Sequence, residues 1–472
     1  MKGQRWKTKG LIIGLFLLYL LSILLGYCAS ARAVASTPLT LSHNVGTPFG
    51  KDKGPTQPAH WVRQCFIWQE CVVGYDSNVE NYDSVDPMNL DMSVYKTTMD
   101  NLLAQGFNIF VDLGHDNWVP TAEYIAMGWG IPEWLHFMNE TVYEYSVYNH
   151  TIQVYEVLNE INLEGFWKAP KELYYDLLNQ TAHLLQQIKL DNPNATFRIS
   201  TCGFSGFAKD TIREVFEYGA MEEVDILAFH PYSKRYDTID EKIAMVDQIA
   251  MEYNFDGTYI ITEVGAFSDE KDDQIEWMRD QSNEVLKIYT LGLTNPRMEF
   301  ITYYNCEGFG LTGKTSEQTY NLLFDLLTNT WYCPRGARIN GPIGPDQFES
   351  HLFYNDSTKT VVLAMWQMQG AELNLRINVP GGIDGTLLIH DIYSGLNHEV
   401  AYHALEDGSG DWFDLSLGSD PVVISFKYLG NPAVVQMDIN WNPYQVLIYI
   451  IYPIGIIMTI AVAVRKRKLK KS

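Results

Sequence analysis

The stretch VYEVLNEIN, residues 154–162, carries two signals that conflict. Its valine, tyrosine and leucine residues are types that β-sheets favour, which predicts a buried strand. Polar side chains interrupt that strand, although burying an unpaired polar group costs free energy. We therefore expect Asn159 and Glu160 to lie at the edge of a functional site, where the strand leaves the core, and Glu156 to be a buried structural carboxylate.

Strand patterns alternate with amphipathic helical patterns from about residue 38 to residue 333. Eight strands with intervening helices over roughly 300 residues predict an α/β fold, the (β/α)8 TIM barrel, in which the C-terminal ends of the strands surround the active site. The predicted strands are Leu39–Val45, Trp61–Trp68, Phe107–Leu113, Val154–Asn159, Phe197–Cys202, Asp225–Phe229, Tyr259–Thr262 and Glu299–Tyr304. The predicted helices include Asp91–Gln105, Lys171–Leu190, Lys209–Tyr218, Ile239–Tyr253, Gln274–Thr290 and Thr319–Leu327.

A Gly/Pro-rich connector, CPRGARINGPIGP, follows the barrel pattern and indicates a domain boundary. The chain then shows strand patterns alone, which predicts a small antiparallel sandwich. These patterns are HLFYN, TVVLAMWQM, LNLRINV, GTLLIHDIY, DWFDLSL and PVVISFKY. We predict a catalytic barrel over residues 36–335 and an all-β sandwich over residues 345–430.

Both ends of the chain carry membrane-targeting signals. Residues 1–35 combine basic residues, an apolar run and the motif Ala33-Val34-Ala35, which predicts a signal peptide and a mature chain that begins at Ser36. An uncleaved signal-anchor is the alternative. Residues 446–464 are uncharged and apolar enough for a transmembrane helix, and the basic tail 465–472 indicates that the C-terminus is cytoplasmic. We expect a single-pass protein of the cell membrane with the barrel outside the cell.

The charge and the glycosylation motifs fit an exported chain. The net charge is −23, and eleven of the 34 basic residues lie in the terminal segments, whereas none of the 57 acidic residues does. Such acidity argues against nucleic acid as a partner and favours neutral or cationic ones, although an acidic solvated surface explains it equally well. N-x-S/T motifs begin at Asn139, Asn149, Asn179, Asn194 and Asn355.

Cysteines are few beyond the signal region. The five that remain are Cys65, Cys71, Cys202, Cys306 and Cys333, an odd number that allows two disulfides and one free thiol. None has C-x-x-C spacing, so we predict no metal site.

Other predicted strands also end in polar or ionisable groups, at the same edge of the barrel. YIITEVGAF places Glu263 there, and HWVRQCFIW carries Arg63 within its strand. VDILAFHPYS and NIFVDLGHDNW add further groups, namely His230, Pro231, Tyr232, His115, Asp116 and Trp118. A single glutamate at a strand end is usually a loop residue, but the agreement between several strands indicates a shared site.

These segments resemble glycoside hydrolase clan A, and families 5 and 39 in particular. VYEVLNEIN and ITEVG are similar to the clan's fourth- and seventh-strand signatures, AFHPY to its sixth, VDLGHDNW to its third and HWVR to its second. The likeness spans residues 36–333, and a trailing sandwich is common among these relatives. It implies a carbohydrate substrate and no cofactor.

The resemblance also implies roles for individual residues. Glu160 would be the general acid/base and Glu263 the nucleophile of retaining hydrolysis, which requires two carboxyl groups about 5–5.5 Å apart. Arg63 and Tyr232 are suited to keeping Glu263 ionised, and Asn159 to donating to a sugar 2-hydroxyl. His115, His230, Tyr304 and Trp167 are expected to bind substrate or support the site.

Aromatic rings near the predicted strand ends suit the apolar faces of sugars, although core packing accounts for about half of them. They are Trp118, Trp129, Trp134, Phe166, Trp167 and Phe309. At the eighth strand, Tyr303, Tyr304 and Asn305 occupy the region where clan members often carry a sugar-stacking tryptophan.

Two other functions fit parts of the sequence. The first is a catalytically inactive glycan-binding or cell-envelope protein on the same barrel, and loss of either glutamate would favour it. The second is a barrel enzyme of another class, such as a phosphate-handling isomerase or an aldolase. Such an enzyme needs a Gly-rich phosphate site or a Schiff-base lysine at a strand end. ITEVGAF and YYNCEGFG contain no such lysine.

The predicted topology can be tested by protease treatment of intact cells that express the full chain. A single C-terminal span with a cytoplasmic tail leaves the barrel exposed to the protease, so the treatment should release a fragment that ends before Gln445. The same protease should cleave the barrel equally in lysed cells. Protection of the barrel in intact cells would contradict the topology.

Overall fold

The computed structural model describes residues 40–44, 59–76, 78, 81–114, 129–266, 274–304, 309–334, 337–340, 348–368, 373–430 and 437–441. The predicted signal peptide, transmembrane segment and basic tail lie outside these ranges, as do His115, Asp116, Trp118, Asn305 and Cys306. Within them, the structure contains no helix with the length and apolar character needed to cross a bilayer.

Parallel strands form a closed barrel in the first part of the chain. The order is β5-β4-β3-β2-β1-β9-β8-β7-β6, and a pairing between Ser200 of β5 and Ile226 of β7 closes the ring. The strands are β1 Thr40–Asn44, β2 Trp61–Phe66, β3 Asn108–Leu113, β4 Ile152–Val157, β5 Arg198–Ser200, β6 Phe204–Ser205, β7 Ile226–His230, β8 Thr258–Val264 and β9 Met298–Tyr304. β5 and β6 are two short segments of the same barrel position, so nine segments fill eight positions.

Helices surround the barrel, as the alternating sequence pattern predicts. They are α1 Trp68–Cys71, α2 Lys96–Ala104, α3 Ile131–Val142, α4 Lys171–Asp191, α5 Lys209–Glu217, α6 Ile239–Glu252, α7 Gln274–Gly292 and α8 Thr315–Leu327. A 3₁₀ turn, Met92–Tyr95, leads into α2, and a π-helical segment, Tyr143–Tyr148, follows α3. In α4 the buried residues recur every three or four positions, from Tyr174 to Ile188, so one face of the helix packs on the barrel.

Two kinds of side chain fill the barrel interior. An apolar cluster is formed by Phe110, Val154, Ile226, Ala228, Ile260 and Phe300. Further along the same strands, toward their C-terminal ends, the interior becomes polar, with Arg63, Asp112, Glu156, His230 and Thr262 all buried. The apolar cluster excludes water from one side of these polar groups, which therefore have to satisfy one another.

Two sheets form the sandwich that follows the barrel. One has the order β10-β12-β13-β19-β15-β16, and the other β11-β20-β14-β18-β17. The strands are β10 Trp331–Tyr332, β11 Ala337–Asn340, β12 Phe348–Asn355, β13 Thr360–Gln367, β14 Leu373–Pro380, β15 Ile383–His390, β16 Asn397–Val400, β17 His403–Ala404, β18 Gly410–Leu417, β19 Val422–Tyr428 and β20 Met437–Trp441.

The sandwich packs directly on the barrel. Its buried residues Phe353, Trp366 and Ile392 belong to the same apolar cluster as the barrel helices. Hydrogen bonds cross the boundary as well, because Thr319 of α8 donates to the Ile392 carbonyl at 2.7 Å. The sandwich therefore shares a core with the barrel.

The expected strands are confirmed, whereas the disulfides that the cysteine count allowed are not formed. All eight barrel strands and all six sandwich strands form within a few residues of their predicted limits. β10, β11 and β20 extend the two sheets beyond residues 345–430. Cys65, Cys71, Cys202 and Cys333 are buried thiols that form no disulfide, so the two disulfides that five cysteines would allow do not form. Each of these cysteines packs as a small apolar side chain.

Candidate active site

Arg63 is the centre of the polar interior. It lies in β2, and its side chain is 0% exposed. Its Nε donates to Glu156 Oε2 at 2.8 Å, and its Nη1 donates to Glu263 Oε1. Its Nη2 donates to Asn159 Oδ1 at 3.0 Å and lies 3.2 Å from Asp112 Oδ2. One guanidinium therefore contacts three carboxylates on three different strands, which a planar group with five N–H donors can do.

Two of these carboxylates are side by side and buried. Asp112 of β3 and Glu156 of β4 are paired in the register of the parallel sheet. Burial raises the pKa of Glu156 above its ordinary value, the nearby Arg63 guanidinium opposes that rise, and Asp112 adds to it. Glu156 is fully buried and both of its oxygens accept hydrogen bonds, from Arg63 and Thr262, which fits the buried carboxylate that the sequence predicts.

Glu263 receives hydrogen bonds on both of its oxygens. Arg63 donates to Oε1, and the phenol of Tyr232 donates to Oε2 at 3.0 Å. Burial raises the pKa of Tyr232 well above its usual range, and the negative charge of Glu263 raises it further. Tyr232 therefore keeps its proton and acts as a donor. Two donors on one carboxyl group favour its ionised form.

The chain turns sharply where β4 ends, which directs Glu160 into the barrel mouth. Leu158 and Glu160 both have positive φ, 65° and 42°, a conformation that costs free energy for residues other than glycine. Two hydrogen bonds hold this turn, because the Leu158 N–H donates to the Leu113 carbonyl and the Glu160 N–H to the Gly203 carbonyl, at 3.0 and 3.1 Å. The neighbouring strands thus impose the conformation that exposes Glu160 to the site.

His230, the last residue of β7, connects Glu160 to the buried cluster. Its Nδ1 lies 2.9 Å from Glu160 Oε1, and its Nε2 lies 2.9 Å from Thr262 Oγ1. The Thr262 hydroxyl donates to Glu156 Oε1 at 2.7 Å. Since a hydroxyl has one hydrogen, the Thr262 oxygen accepts from His230 Nε2. One further proton then lies between His230 Nδ1 and Glu160 Oε1.

The charges around His230 favour its cationic form. Burial lowers the pKa of His230, but the carboxylates of Glu263 and Glu160 outweigh burial, so the pKa is raised overall. The imidazole therefore shares a proton with Glu160 as an ion pair or as a neutral hydrogen-bonded pair.

The His230 ring also requires a glycine beside it. A β-carbon built on Gly203 would overlap the imidazole, so no other residue fits at this position while His230 holds its place. Gly203 lies in the gap between β5 and β6 and pairs with Asn159 as an isolated bridge. The interruption of this barrel position thus brings backbone close to both Glu160 and His230.

The separation of the two candidate catalytic carboxylates follows from their common neighbour. His230 Nδ1 lies 2.9 Å from Glu160 Oε1 and 3.7 Å from Glu263 Oε2. The distance between Glu160 Oε1 and Glu263 Oε2 is therefore at most the sum of these two distances. That limit accommodates the roughly 5–5.5 Å of a retaining pair and reaches only the lower end of the about 6.5–9.5 Å of an inverting pair.

The remaining residues predicted for the site differ in where the structure places them. Asn159 lies beside the two candidate catalytic carboxylates, and because Arg63 holds its Oδ1, its Nδ2 is the group available to donate. Tyr304 ends β9 with its ring 6.4 Å from that of Tyr232, while His115 lies outside the described residues. Trp167 is only 5% exposed, and its indole donates to the Pro170 carbonyl at 3.2 Å, so its ring packs inside the protein.

The other aromatic candidates divide in the same way. Trp129 and Trp134 are fully buried against Trp68 and belong to the core. Phe309 lies at the site, because its ring is 5.3 Å from that of Tyr232 and 6.1 Å from that of Tyr304.

Three contributors were missed at the level of the sequence: Asp112, Thr262 and Gly203. Asp112 carries the same signal as Glu156, a carboxylate inside an apolar strand, and could have been found by it. Thr262 and Gly203 carry no distinguishing signal. Within the described ranges no group of three or more His, Cys, Asp and Glu side chains is arranged to hold a metal ion.

The role of Arg63 can be tested through stability. Replacing Arg63 with methionine leaves buried carboxylates without their cation, which should lower the free energy of unfolding by about 3–5 kcal/mol. The pKa of Glu156 is already raised from its ordinary value of 4.5 and should rise further without Arg63. Because such a carboxyl is most costly when ionised, the loss should be largest near pH 8 and should narrow as the pH falls toward 4.5.

Thermal unfolding of wild type and variant at pH 5 and pH 8 checks this expectation. Arg213→Met is the matched control, since Arg213 pairs with Glu252 on the surface and its removal leaves no buried charge. An equal loss of stability for Arg63→Met at both pH values would show that the guanidinium does not compensate ionised carboxylates.

Comparisons with known proteins find similarity in structure alone. No family model matches the sequence, and no curated protein does. A glucosidase from Croceicoccus marinus aligns with a TM-score of 0.55 and 10% identity, over 84% of this chain and 98% of that one. A family 30 endoxylanase from Clostridium papyrosolvens C71 gives 0.52 and 10%, over 85% and 98%. A family 39 enzyme from Xanthomonas axonopodis pv. citri gives 0.52 and 15%, over 84% and 96%. The resemblance is thus confirmed at the level of the fold: this chain has the fold of clan A glycoside hydrolases.

Proposed function

We propose that the protein is a retaining glycoside hydrolase that cleaves O-glycosidic bonds, expected to be β-linked, in oligo- or polysaccharides. The observation that carries the proposal is the pair of carboxylates at the ends of β4 and β8, which flank a single histidine nitrogen at 2.9 and 3.7 Å. In this proposal Glu160 is the acid/base and Glu263 is the nucleophile.

The first step transfers the sugar to Glu263. The Glu263 carboxylate attacks the anomeric carbon as the bond to the leaving oxygen breaks, and Glu160 gives its proton to that oxygen. Arg63 and Tyr232 hold the two oxygens of Glu263, which fixes the direction of attack. The proton that lies between Glu160 and His230 is the one delivered.

The second step releases the sugar. Glu160, now a carboxylate, takes a proton from water, and the hydroxide so formed displaces Glu263 from the anomeric carbon. Delivery of that proton leaves His230 Nδ1 and Glu160 Oε1 without a hydrogen between them, and the proton taken from water in the second step restores their hydrogen bond.

The charge balance of the site favours the transition state of this reaction. Four carboxylates, Asp112, Glu156, Glu160 and Glu263, surround one guanidinium and one imidazole. The excess of negative charge stabilises the positive charge that develops on the oxocarbenium-like sugar.

Structural relatives support the same reaction class. The structurally similar proteins include a glucosidase and an endoxylanase. The alternative, an inactive glycan-binding or cell-envelope protein, requires no such carboxylate pair, and both carboxylates are present with their hydrogen-bond partners.

We further propose that the enzyme acts outside the cell, anchored by residues 446–464. This proposal rests on the sequence of the two termini. Three of the five glycosylation motifs, at Asn149, Asn179 and Asn194, present exposed asparagines, which is compatible with modification after export.

The two glutamates should fail in different ways when replaced. Glu263→Ala removes the atom that bonds to the anomeric carbon, so substrates with good and with poor leaving groups should both lose nearly all activity. Glu160→Ala removes proton transfer, worth about 10²–10⁴-fold, so a substrate with an acidic aryl leaving group should still react in the first step. Steady-state kinetics on a panel of aryl β-glycosides measures the difference.

Added azide identifies which role each glutamate has. In Glu160→Ala, azide needs no general base and should release the covalent intermediate as a β-glycosyl azide. In Glu263→Ala, azide should enter from the vacated face and give the α-azide. The same anomer from both variants, or unchanged hydrolysis in both, would refute the assignment.

A further inference from the structure

A cavity of about 560 Å³ opens beside the proposed catalytic residues. Tyr232, whose phenol donates to Glu263, forms part of its wall, and so does Asn162, two residues after Glu160. The opposite wall comes from the start of α5 and from α6. The volume lies within the roughly 300–1,000 Å³ of ligand sites, and a sugar chain that passes the catalytic glutamates can continue into it.

Three lysines line this cavity, on three different helices: Lys171 of α4, Lys209 of α5 and Lys242 of α6. Lys171 is partly neutralised, because its Nζ lies 3.0 Å from Glu214 Oε2. Within the described residues, Lys209 and Lys242 have no ion-pair partner, and the Lys242 ammonium lies 5.7 Å from the centre of the Phe207 ring. The wall contains one carboxylate, that of Asp210, so cations outnumber anions.

This basic wall contrasts with the rest of the molecule. The chain has a net charge of −23. A second cavity contains Glu140 and Glu144, and a third contains Glu222 and Asp256, each without a lysine or arginine. Ammonium groups thus outnumber carboxylates at this cavity, which adjoins the site, although the chain as a whole is acidic.

Lys209 and Lys242 differ from a paired lysine such as Lys189, whose Nζ lies 2.8 Å from Asp225 Oδ2. Like charges that face one cavity repel each other, and within the described residues neither Lys209 nor Lys242 has a carboxylate partner that offsets this repulsion. An anionic ligand would supply the missing partner. The lysine ammonium is a compact charge without a fixed binding geometry, so it can bind a carboxylate or a sulfate ester equally well.

We propose that this cavity binds a negatively charged sugar residue of the substrate while a neighbouring sugar occupies the catalytic glutamates. The inference rests on the proposed glycosidase function and adds the substrate class, an acidic glycan. Contact with Lys209 and Lys242 brings the chain into register with Glu160 and Glu263, so the charge acts on specificity and not on bond cleavage.

Pairs of substrates that differ only in their negatively charged groups separate the effect of substrate charge from that of the sugar chain. The probes are acidic oligosaccharides that contain uronic acids, and the same oligosaccharides after chemical reduction of their carboxyl groups to alcohols. A sulfated oligosaccharide and its desulfated form make the second pair. The full chain should cleave the charged member of one pair better, and the pair that shows the preference identifies carboxylate or sulfate as the anion.

The variants are Lys209→Gln, Lys242→Gln and the double variant, with Lys359→Gln as the control. Lys359 is exposed between β12 and β13 and pairs with Asp356, so its loss removes one charge from the sandwich surface. The double variant should lose about three- to tenfold in kcat/KM on the charged substrate, through KM, as expected for exposed ion pairs. Its kcat on a neutral aryl glycoside should not change, and the preference should weaken as salt is added.

The outcomes separate this inference from the proposed function. Equal rates on charged and reduced substrates, unaffected by the lysine substitutions, would overturn the inference and leave the glycosidase intact. Calorimetric binding of an acidic oligosaccharide that the double variant loses, without hydrolysis of any glycoside, would support the anion site and overturn the catalytic proposal. If the protein shows no lysine-dependent binding and no charge preference, the inference is overturned, whatever the hydrolytic activity.

Discussion

The interior of this barrel depends on one guanidinium that has to compensate three carboxylates. Asp112, Glu156 and Glu263 come from three strands, and Arg63 reaches all of them from a fourth. Each carboxylate alone would be costly to bury, and the Arg63 charge alone would be as costly, so none of the four can be accommodated without the others. The relative positions of β2, β3, β4 and β8 are thereby coupled. A site built on such coupled strands holds Glu263 more rigidly than a site built on loops.

Most of the fold could be predicted because its signals are local. The barrel strands are short apolar runs separated by amphipathic helices, and each run is recognisable without knowledge of its partners. The observed ends of some strands differ by a few residues from the predicted ends, because tertiary contacts decide where those strands stop. The predicted strand Val154–Asn159, for example, ends at Val157 because Leu158 and Glu160 adopt positive φ under hydrogen bonds from neighbouring strands. β6, β16, β17 and β20 were not predicted from the sequence. These strands are short, and their sequences carry little periodicity.

The candidate site was predictable where polar side chains interrupt apolar strands, and not elsewhere. Glu160, Glu263 and Arg63 are conspicuous for that reason. Thr262 resembles any strand threonine, and its role becomes visible only when Glu156 and His230 are seen on its two sides. Trp167 shows what spacing leaves open: its position near a predicted strand end suggested contact with sugar, and in the structure its indole donates to the Pro170 carbonyl in the loop that precedes α4. Ring orientation depends on side-chain packing, which sequence spacing does not encode.

The close approach of Gly203 to His230 has an evolutionary consequence. Any side chain at position 203 would displace the imidazole, so substitutions at the two positions are not independent. A descendant that keeps the histidine must keep the glycine, whereas a descendant that loses the histidine frees position 203 to vary. In a lineage that loses the histidine, position 203 would therefore diversify only after position 230 had changed. The order of those two substitutions would record when Glu160 lost its hydrogen-bond partner.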